Sequence, residues 1–226
     1  MRDLEERYKF ESKLDNRSQY KIFYGLVRPA EILVLGINPG GNPLEVSPDG
    51  TRNTKKGVAA AASATYYEND ECDLLDCDWT ENTGLKKLLI PLLDNNQEAI
   101  RQRVVKSNLA FRRSAKATAI NIKSAKVEAA SFLAEIISLV SPRLIILTSG
   151  DITLFAHAFS ENIAALTSVV RDEGVRQVVY ESARVRLRGA VGNSLVVRVA
   201  HASQFSWTYR KHNVVDRIKS EIGKLA

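Results

Sequence analysis

The chain is poor in cysteine, with only Cys72 and Cys77 among its 226 residues. Two cysteines argue against a disulfide framework, and they cannot supply the four thiolates of an iron–sulfur cluster. No further thiol completes the ligand set of a structural zinc site. We therefore predict a protein without a metal ion or another cofactor.

Long hydrophobic runs are also missing. No apolar stretch approaches the roughly 20 residues that a membrane-spanning helix needs, and residues 1–7 are charged and lack a signal-peptide core. The chain has no Gly-x-x-x-x-Gly-Lys phosphate-binding loop, which argues against nucleotide hydrolysis. We expect a cytoplasmic protein without a membrane partner.

Charge of one sign is concentrated in two segments. The net charge of +6 favours an anionic partner such as nucleic acid. Residues 176–226 contain ten Lys or Arg against three Asp or Glu, a net charge of +7, whereas residues 68–81 contain seven acids and no base. We expect a nucleic-acid-binding face near the C-terminal third and an acidic segment that points away from it. The alternative is ordinary solvated surface charge.

Apolar segments with strand and helix periods alternate along the chain. This order predicts a single α/β domain over residues 1–226, with a central, mostly parallel sheet and helices on both faces, a three-layer architecture. The predicted strands cover residues 32–35, 116–122, 143–148, 177–187 and 195–200. The predicted helices cover residues 2–15, 83–90, 97–105, 124–140 with Ser124 as N-cap, 151–159 and 209–224.

The first predicted strand ends in Gly36-Ile37-Asn38-Pro39-Gly40. Ligands of open α/β sheets bind at the carboxyl ends of strands, although Asn38 in an ordinary turn that bonds its own backbone is an alternative. The five residues resemble the first motif of the uracil-DNA glycosylase superfamily. The form of the motif is closest to the mismatch-specific uracil/thymine glycosylase branch.

A second motif follows the last predicted strand. The segment His201-Ala202-Ser203-Gln204-Phe205-Ser206 resembles the superfamily's His-Pro-Ser-Pro-Leu-Ser, with Ala202 and Gln204 in place of prolines. Together the motifs extend the resemblance over about residues 28–215. Branches of this superfamily that carry an iron–sulfur cluster are excluded by the cysteine count.

The resemblance implies roles for particular residues. Asn38 would orient a water, without acting as a strong general base, and His201 would stabilise the leaving base. Contacts to the base would come from Gly36, Ile37, Pro39, Gly40 and Asn121. Contacts to DNA would come from Ser203, Gln204, Phe205 as a wedge, and Ser206. The family's base-stacking aromatic has three candidates, Tyr66, Tyr67 and Trp79.

Each of these residues also has an ordinary structural alternative. A histidine after a strand is often a structural hydrogen-bonder, a phenylalanine is often core, and Asn121 suits a turn. We expect a monomeric, monofunctional DNA glycosylase of base excision repair that flips uracil or another deaminated base out of duplex or single-stranded DNA. The alternatives are a non-catalytic nucleic-acid-binding protein of the same fold and an enzyme acting on a free nucleoside or nucleotide.

Overall fold

A computed structural model describes residues 2–15, 19–39, 73–76, 79–114, 121–162, 166–174, 177–190 and 192–225. Its elements in chain order are α1 (Arg2–Glu11), β1 (Ile32–Gly36), α2 (Asp73–Asp76), α3 (Thr80–Leu92), α4 (Ala99–Arg103), β2 (Val104–Asn108), α5 (Ile122–Val140), β3 (Leu144–Leu147), α6 (Ile152–Phe159), β4 (Ser160–Asn162), β5 (Leu166–Asp172), β6 (Gln177–Leu187), β7 (Asn193–Val199), α7 (Ala202–Phe205), α8 (Trp207–Lys211) and α9 (Val214–Ile222).

These strands form one sheet with a parallel half and an antiparallel half. The parallel strands stand in the order β2-β1-β3-β7. Strand β6 then runs antiparallel to β7, and both β4 and β5 pair with the outer edge of β6. The carboxyl ends of β2, β1, β3 and β7 therefore lie along one edge of the sheet, which we call the carboxyl edge.

Alternate residues of β1 enter two different cores, because successive side chains of a strand point to opposite faces. Leu33 and Leu35 pack in a cluster with residues of α1, α5 and α6. Ile32 and Val34 pack in a second cluster with residues of α3 and α9. Helices thus cover both faces of the sheet, as expected for α/β proteins with parallel strands. None of the helices in the described ranges is long and apolar enough to cross a membrane.

Helix α5 shows how local sequence sets an element. Its buried residues recur at helical spacing, namely Ala125, Ala129, Phe132, Leu133, Ile136, Ile137 and Val140. The helix ends at Ser141, which has a left-handed backbone with φ of 49°, and Pro142 follows. The predicted N-cap, Ser124, was wrong, since the Asn121 side chain caps the helix by accepting from the Ser124 N–H.

Several predicted boundaries also change. The predicted helix over residues 97–105 is the shorter α4, followed directly by strand β2, which the prediction lacked. The predicted strand over residues 116–122 falls mostly outside the described residues, and its last residue, Ile122, begins α5. The prediction also lacked β4 and β5, and it drew α8 and α9 as one closing helix.

Candidate active site at the carboxyl edge

The first motif is held against the chain that follows β2. Gly36 and Ile37 accept backbone hydrogen bonds from Leu109 and Ala110, at 2.8 and 2.9 Å. A Cβ on Gly36 would lie 2.5 Å from Oδ1 of Asn108. A side chain at position 36 would therefore displace the Asn108 amide, which glycine leaves in place. Gly40 lies outside the described residues.

Asn38 is half-buried at the end of β1, and its amide nitrogen donates two hydrogen bonds to neighbouring residues. Nδ2 donates to the Pro39 carbonyl at 3.0 Å and to Oγ of Ser114 at 2.9 Å. These bonds fix the orientation of the amide. They leave its oxygen, which has two acceptor sites, for a group that donates a hydrogen bond, such as water.

The second motif folds into the short helix α7 with His201 as its N-cap. Nδ1 of His201 accepts from the Ser203 N–H at 3.3 Å and lies 2.8 Å from Oγ of Ser203. An accepting Nδ1 places the proton of a neutral imidazole on Nε2. The Gln204 N–H donates to the His201 carbonyl at 3.1 Å, a bond that a proline at position 204 cannot make.

The two motif loops lie on the same edge of the sheet. They follow β1 and β7, which are parallel and separated only by β3. Two strand spacings amount to about 10 Å. Helix α3 bridges the gap, because Gly84 packs so closely on α7 that a Cβ would overlap the Ala202 carbonyl.

A buried polar cluster beside the first motif was not predicted from the sequence. Lys106 and Asn108 of β2 are 3% and 2% exposed, and Asn82 of α3 is fully buried. Lys106 Nζ donates to Asn82 Oδ1 at 2.9 Å, and Asn108 Nδ2 donates to the Tyr24 hydroxyl at 2.8 Å. Finding it from sequence would have required recognising 104–108 as a buried strand, for which Val104-Val105 is the signal.

Aromatic rings and an acid complete this cluster. Lys106 Nζ lies 4.5 Å from the centroid of the Tyr24 ring, which meets the Trp79 ring edge to face at 6.4 Å. Lys106 Nζ also lies 3.5 Å from Oε2 of Glu81. Glu81 is the last acid of the segment 68–81, which was predicted to point away from the nucleic-acid-binding face. Most acids of this segment lie outside the described residues, so that expectation stays a prediction. Tyr66 and Tyr67 lie outside the described residues.

Asn121 is exposed, and its Oδ1 accepts from the Ser124 backbone N–H at 3.1 Å. It is the N-cap of α5 and not itself a strand residue, and residues 115–120 before it lie outside the described residues. Since α5 leads into the amino end of β3, its first turn lies toward the carboxyl edge. Base binding by Asn121 stays a prediction, whereas Asn108 is a buried amide beside Gly36 that the sequence analysis missed.

A cleft of about 630 Å³ lies next to the second motif, between α3 and the helices α8 and α9. Trp207 is 50% exposed at this cleft. Lys87, Arg210 and Lys219 also line it, and Lys87 Nζ donates to Oγ of Ser206 at 3.5 Å. Phe205, the predicted wedge, is less exposed than Trp207.

The positive charge of residues 176–226 is divided between two places. Arg210 and Lys211 follow the second motif, whereas Arg186 of β6 pairs with Asn193, the first residue of β7, and thus lies at the opposite end of the strands. Arg186 also forms an ion pair with Glu161 at 3.3 Å. Only part of this charge therefore flanks the carboxyl edge.

No protein-family model and no curated protein sequence matches the chain. The resemblance to the uracil-DNA glycosylase superfamily therefore rests on the residues of the two motifs alone.

Proposed function

We propose that this protein hydrolyses the N-glycosidic bond of uracil or another deaminated base in DNA. The observation that carries the proposal is the position of Asn38 and His201. Both follow parallel strands of one sheet, at the same edge, with only β3 between those strands. We also propose the finer three-layer, uracil-DNA glycosylase-like form of the fold, as one domain.

The available hydrogen-bonding groups suit this reaction. Cleavage of the bond develops positive charge on the sugar and negative charge on the departing base. The Asn38 carbonyl can accept from an attacking water, and a proton on Nε2 of His201 can donate to a base oxygen. Donors fixed in this way stabilise developing charge without reorganising during the reaction.

The cleft beside Trp207 supports DNA as the substrate rather than a free nucleoside. An aromatic ring among basic side chains is the combination that binds single-stranded segments, with bases stacked on the ring and phosphates near the cations. The same cleft also favours the second candidate, a nucleic-acid-binding protein that lacks the chemistry. Only an excision assay separates the two.

The test uses purified protein and oligonucleotides that carry uracil, hypoxanthine or xanthine, in duplex and single-stranded form, with alkaline cleavage of abasic sites. Asn38→Ala should lower excision about tenfold or more, a loss of about 1.4 kcal/mol in transition-state stabilisation per factor of ten. Its folding and DNA binding should remain, because the substitution removes only a side chain on a turn. Wild-type protein that binds DNA but excises no base would favour the second candidate.

A further inference from the structure

Glu81 lies between the two motifs, although neither motif contains it. The residue is in the first turn of α3, and its side chain is 29% exposed. Oε1 lies 3.6 Å from the position that a Cβ on Gly36 would take. The carboxylate is therefore at the end of β1, where the first motif begins.

The packing of α3 places Glu81 near the second motif. Burial raises the pKa of Tyr209, and the negative charge of Glu81 adds to that rise. The Tyr209 hydroxyl donates at 2.7 Å to the carbonyl of Ala200, the residue before His201. One turn after Glu81, Gly84 packs on Ala202 of α7. Glu81 is thus held between the ends of β1 and β7.

Among the described residues of the two motifs and the acid that follows β3, the proposed reaction lacks a proton acceptor. The Asn38 amide can orient a water but cannot take its proton, and Nδ1 of His201 faces Ser203. Asp151, the acid that follows β3, accepts from the N–H groups of Thr153 and Leu154 as the N-cap of α6.

Glu81 is not needed to hold Lys106 in place. The 2.9 Å hydrogen bond of Lys106 goes to Asn82, whereas its distance to Oε2 of Glu81 is 3.5 Å. A carboxylate has about four acceptor sites, and this side chain remains partly exposed.

We propose that Glu81 is the general base of the glycosylase reaction, an inference that rests on the function proposed above. The oxygen of a water bonds to C1′ of the deoxyribose while the C1′–N bond breaks. The electron pair of that bond leaves with the base, and the proton of the water passes to Glu81. Before bond formation is complete, the carboxylate also stabilises the positive charge on the sugar.

The first measurement is single-turnover excision by wild type, Glu81→Gln and a matched control, Glu31→Gln. Glu31 is also a partly exposed acid paired with a base, Arg103, but it precedes β1 at the opposite edge. Glu81→Gln should lower the rate by about 10² or more, as loss of a general base does, and the rate should lose its rise with pH on the acid side. Glu31→Gln should match wild type. An equal rate and pH profile for Glu81→Gln and wild type would overturn the inference.

The second measurement does not require turnover. Duplexes carrying a cationic pyrrolidine or a neutral tetrahydrofuran in place of the deoxyribose are compared for binding. Wild type and Glu31→Gln should prefer the pyrrolidine, and Glu81→Gln should lose that preference without losing affinity for the tetrahydrofuran. A purely structural Glu81 would weaken binding to both duplexes alike, which would overturn the inference. Glu81→Asp, which retains the charge, should keep part of the preference.

The two measurements separate the two proposals. A wild type that prefers the pyrrolidine through Glu81 but excises no deaminated base contradicts the proposed glycosylase and the general base with it, leaving a carboxylate that binds cations. A wild type that excises uracil without any contribution from Glu81 leaves the proposed function intact and contradicts only the inference.

Discussion

Polar side chains are buried on one side of the carboxyl edge and exposed on the other. Beside β2, Lys106, Asn108 and Asn82 are buried and bonded to fixed partners. Beside β7, Trp207 and Arg210 are exposed around an open cleft. Buried polar groups with fixed partners keep one geometry, which chemistry requires, whereas exposed cations and rings can follow a long flexible anion. We propose that the groups between β2 and His201 serve the reaction, and that the cleft beyond them, at α8 and α9, binds the strand.

Gly84 lies where α3 packs on α7 and so connects these two sides. Its substitution should have the largest effect on the free energy of unfolding. Any Cβ at this position meets the Ala202 backbone, which cannot move as a flexible side chain can. Gly84→Ala should lower the free energy of unfolding by about 3 kcal/mol, the upper part of the usual range for overpacking, and should separate α3 from α7. Urea unfolding followed by circular dichroism measures the change.

The matched control for Gly84→Ala is Gly192→Ala, since nothing lies within 4 Å of a Cβ at position 192. This control should unfold like wild type. If both alanine variants were equally stable, the close packing between α3 and α7 would be contradicted, and the link between the two motifs with it.

The parts of this edge that the sequence predicted are those that local pattern determines. The apolar run of β1 predicts a buried strand, which is present, and the chain bends at Ile37 and Asn38 directly after it. Asp151 was predicted to begin a helix, and it caps α6. These features depend on residues a few positions apart, so no knowledge of the tertiary fold was needed.

The parts that were missed depend on distant partners. Lys106 and Asn108 interrupt the apolar pattern of β2, and their burial becomes favourable only through Asn82 and Tyr24. In the sequence, Glu81 belongs to an acidic segment that gives no sign of a site. Its position beside Gly36 results from the packing of α3. In α7 the Gln204 N–H donates to the His201 carbonyl, at a position where the uracil-DNA glycosylase motif that this segment resembles has a proline.

The bonds of Asp172 in β5 to Lys211 and His212 hold the β7 side in place, and the stability that they contribute should depend on pH. Hydrogen bonds from Lys211 and His212, at 2.6 and 2.7 Å, hold the pKa of the Asp172 carboxyl well below its ordinary value. A depressed carboxyl pKa contributes stability that is present above the unfolded value of about 4 and is lost as the pH falls toward the folded value. Asp172→Asn should therefore melt lower than wild type at pH 7, and the difference should shrink below about pH 4.

Thermal melting between pH 7 and pH 2 measures this dependence. Asp216→Asn removes an exposed acid on α9 and should follow wild type at every pH. If Asp172→Asn also followed wild type throughout, the ion pairs between β5 and α8 would not stabilise the β7 side, and the position of the exposed cleft would need another anchor.

The smallest expected effect is on oligonucleotide affinity, and it distinguishes the contribution of the Trp207 ring from that of the cations in the cleft. Trp207→Leu should weaken binding of a single-stranded oligonucleotide about tenfold, within the range for one base stacked on an aromatic ring. The loss should be the same at every salt concentration, because stacking releases no counterions. Arg210→Gln should instead lower the slope of log affinity against log salt by about 0.7, the value for one single-strand phosphate contact.

Fluorescence anisotropy between about 50 and 200 mM salt covers a range in which phosphate contacts change affinity strongly. Phe10→Ala, which removes an exposed ring from α1, provides the control and should leave affinity and slope unchanged. If Trp207→Leu changed the slope as Arg210→Gln does, the ring would act by placing Lys211, whose Nζ lies 5.4 Å from its centroid, instead of by stacking on a base. If neither variant changed binding, the strand would not lie in this cleft, and the division between the two sides of the edge would lose its functional meaning.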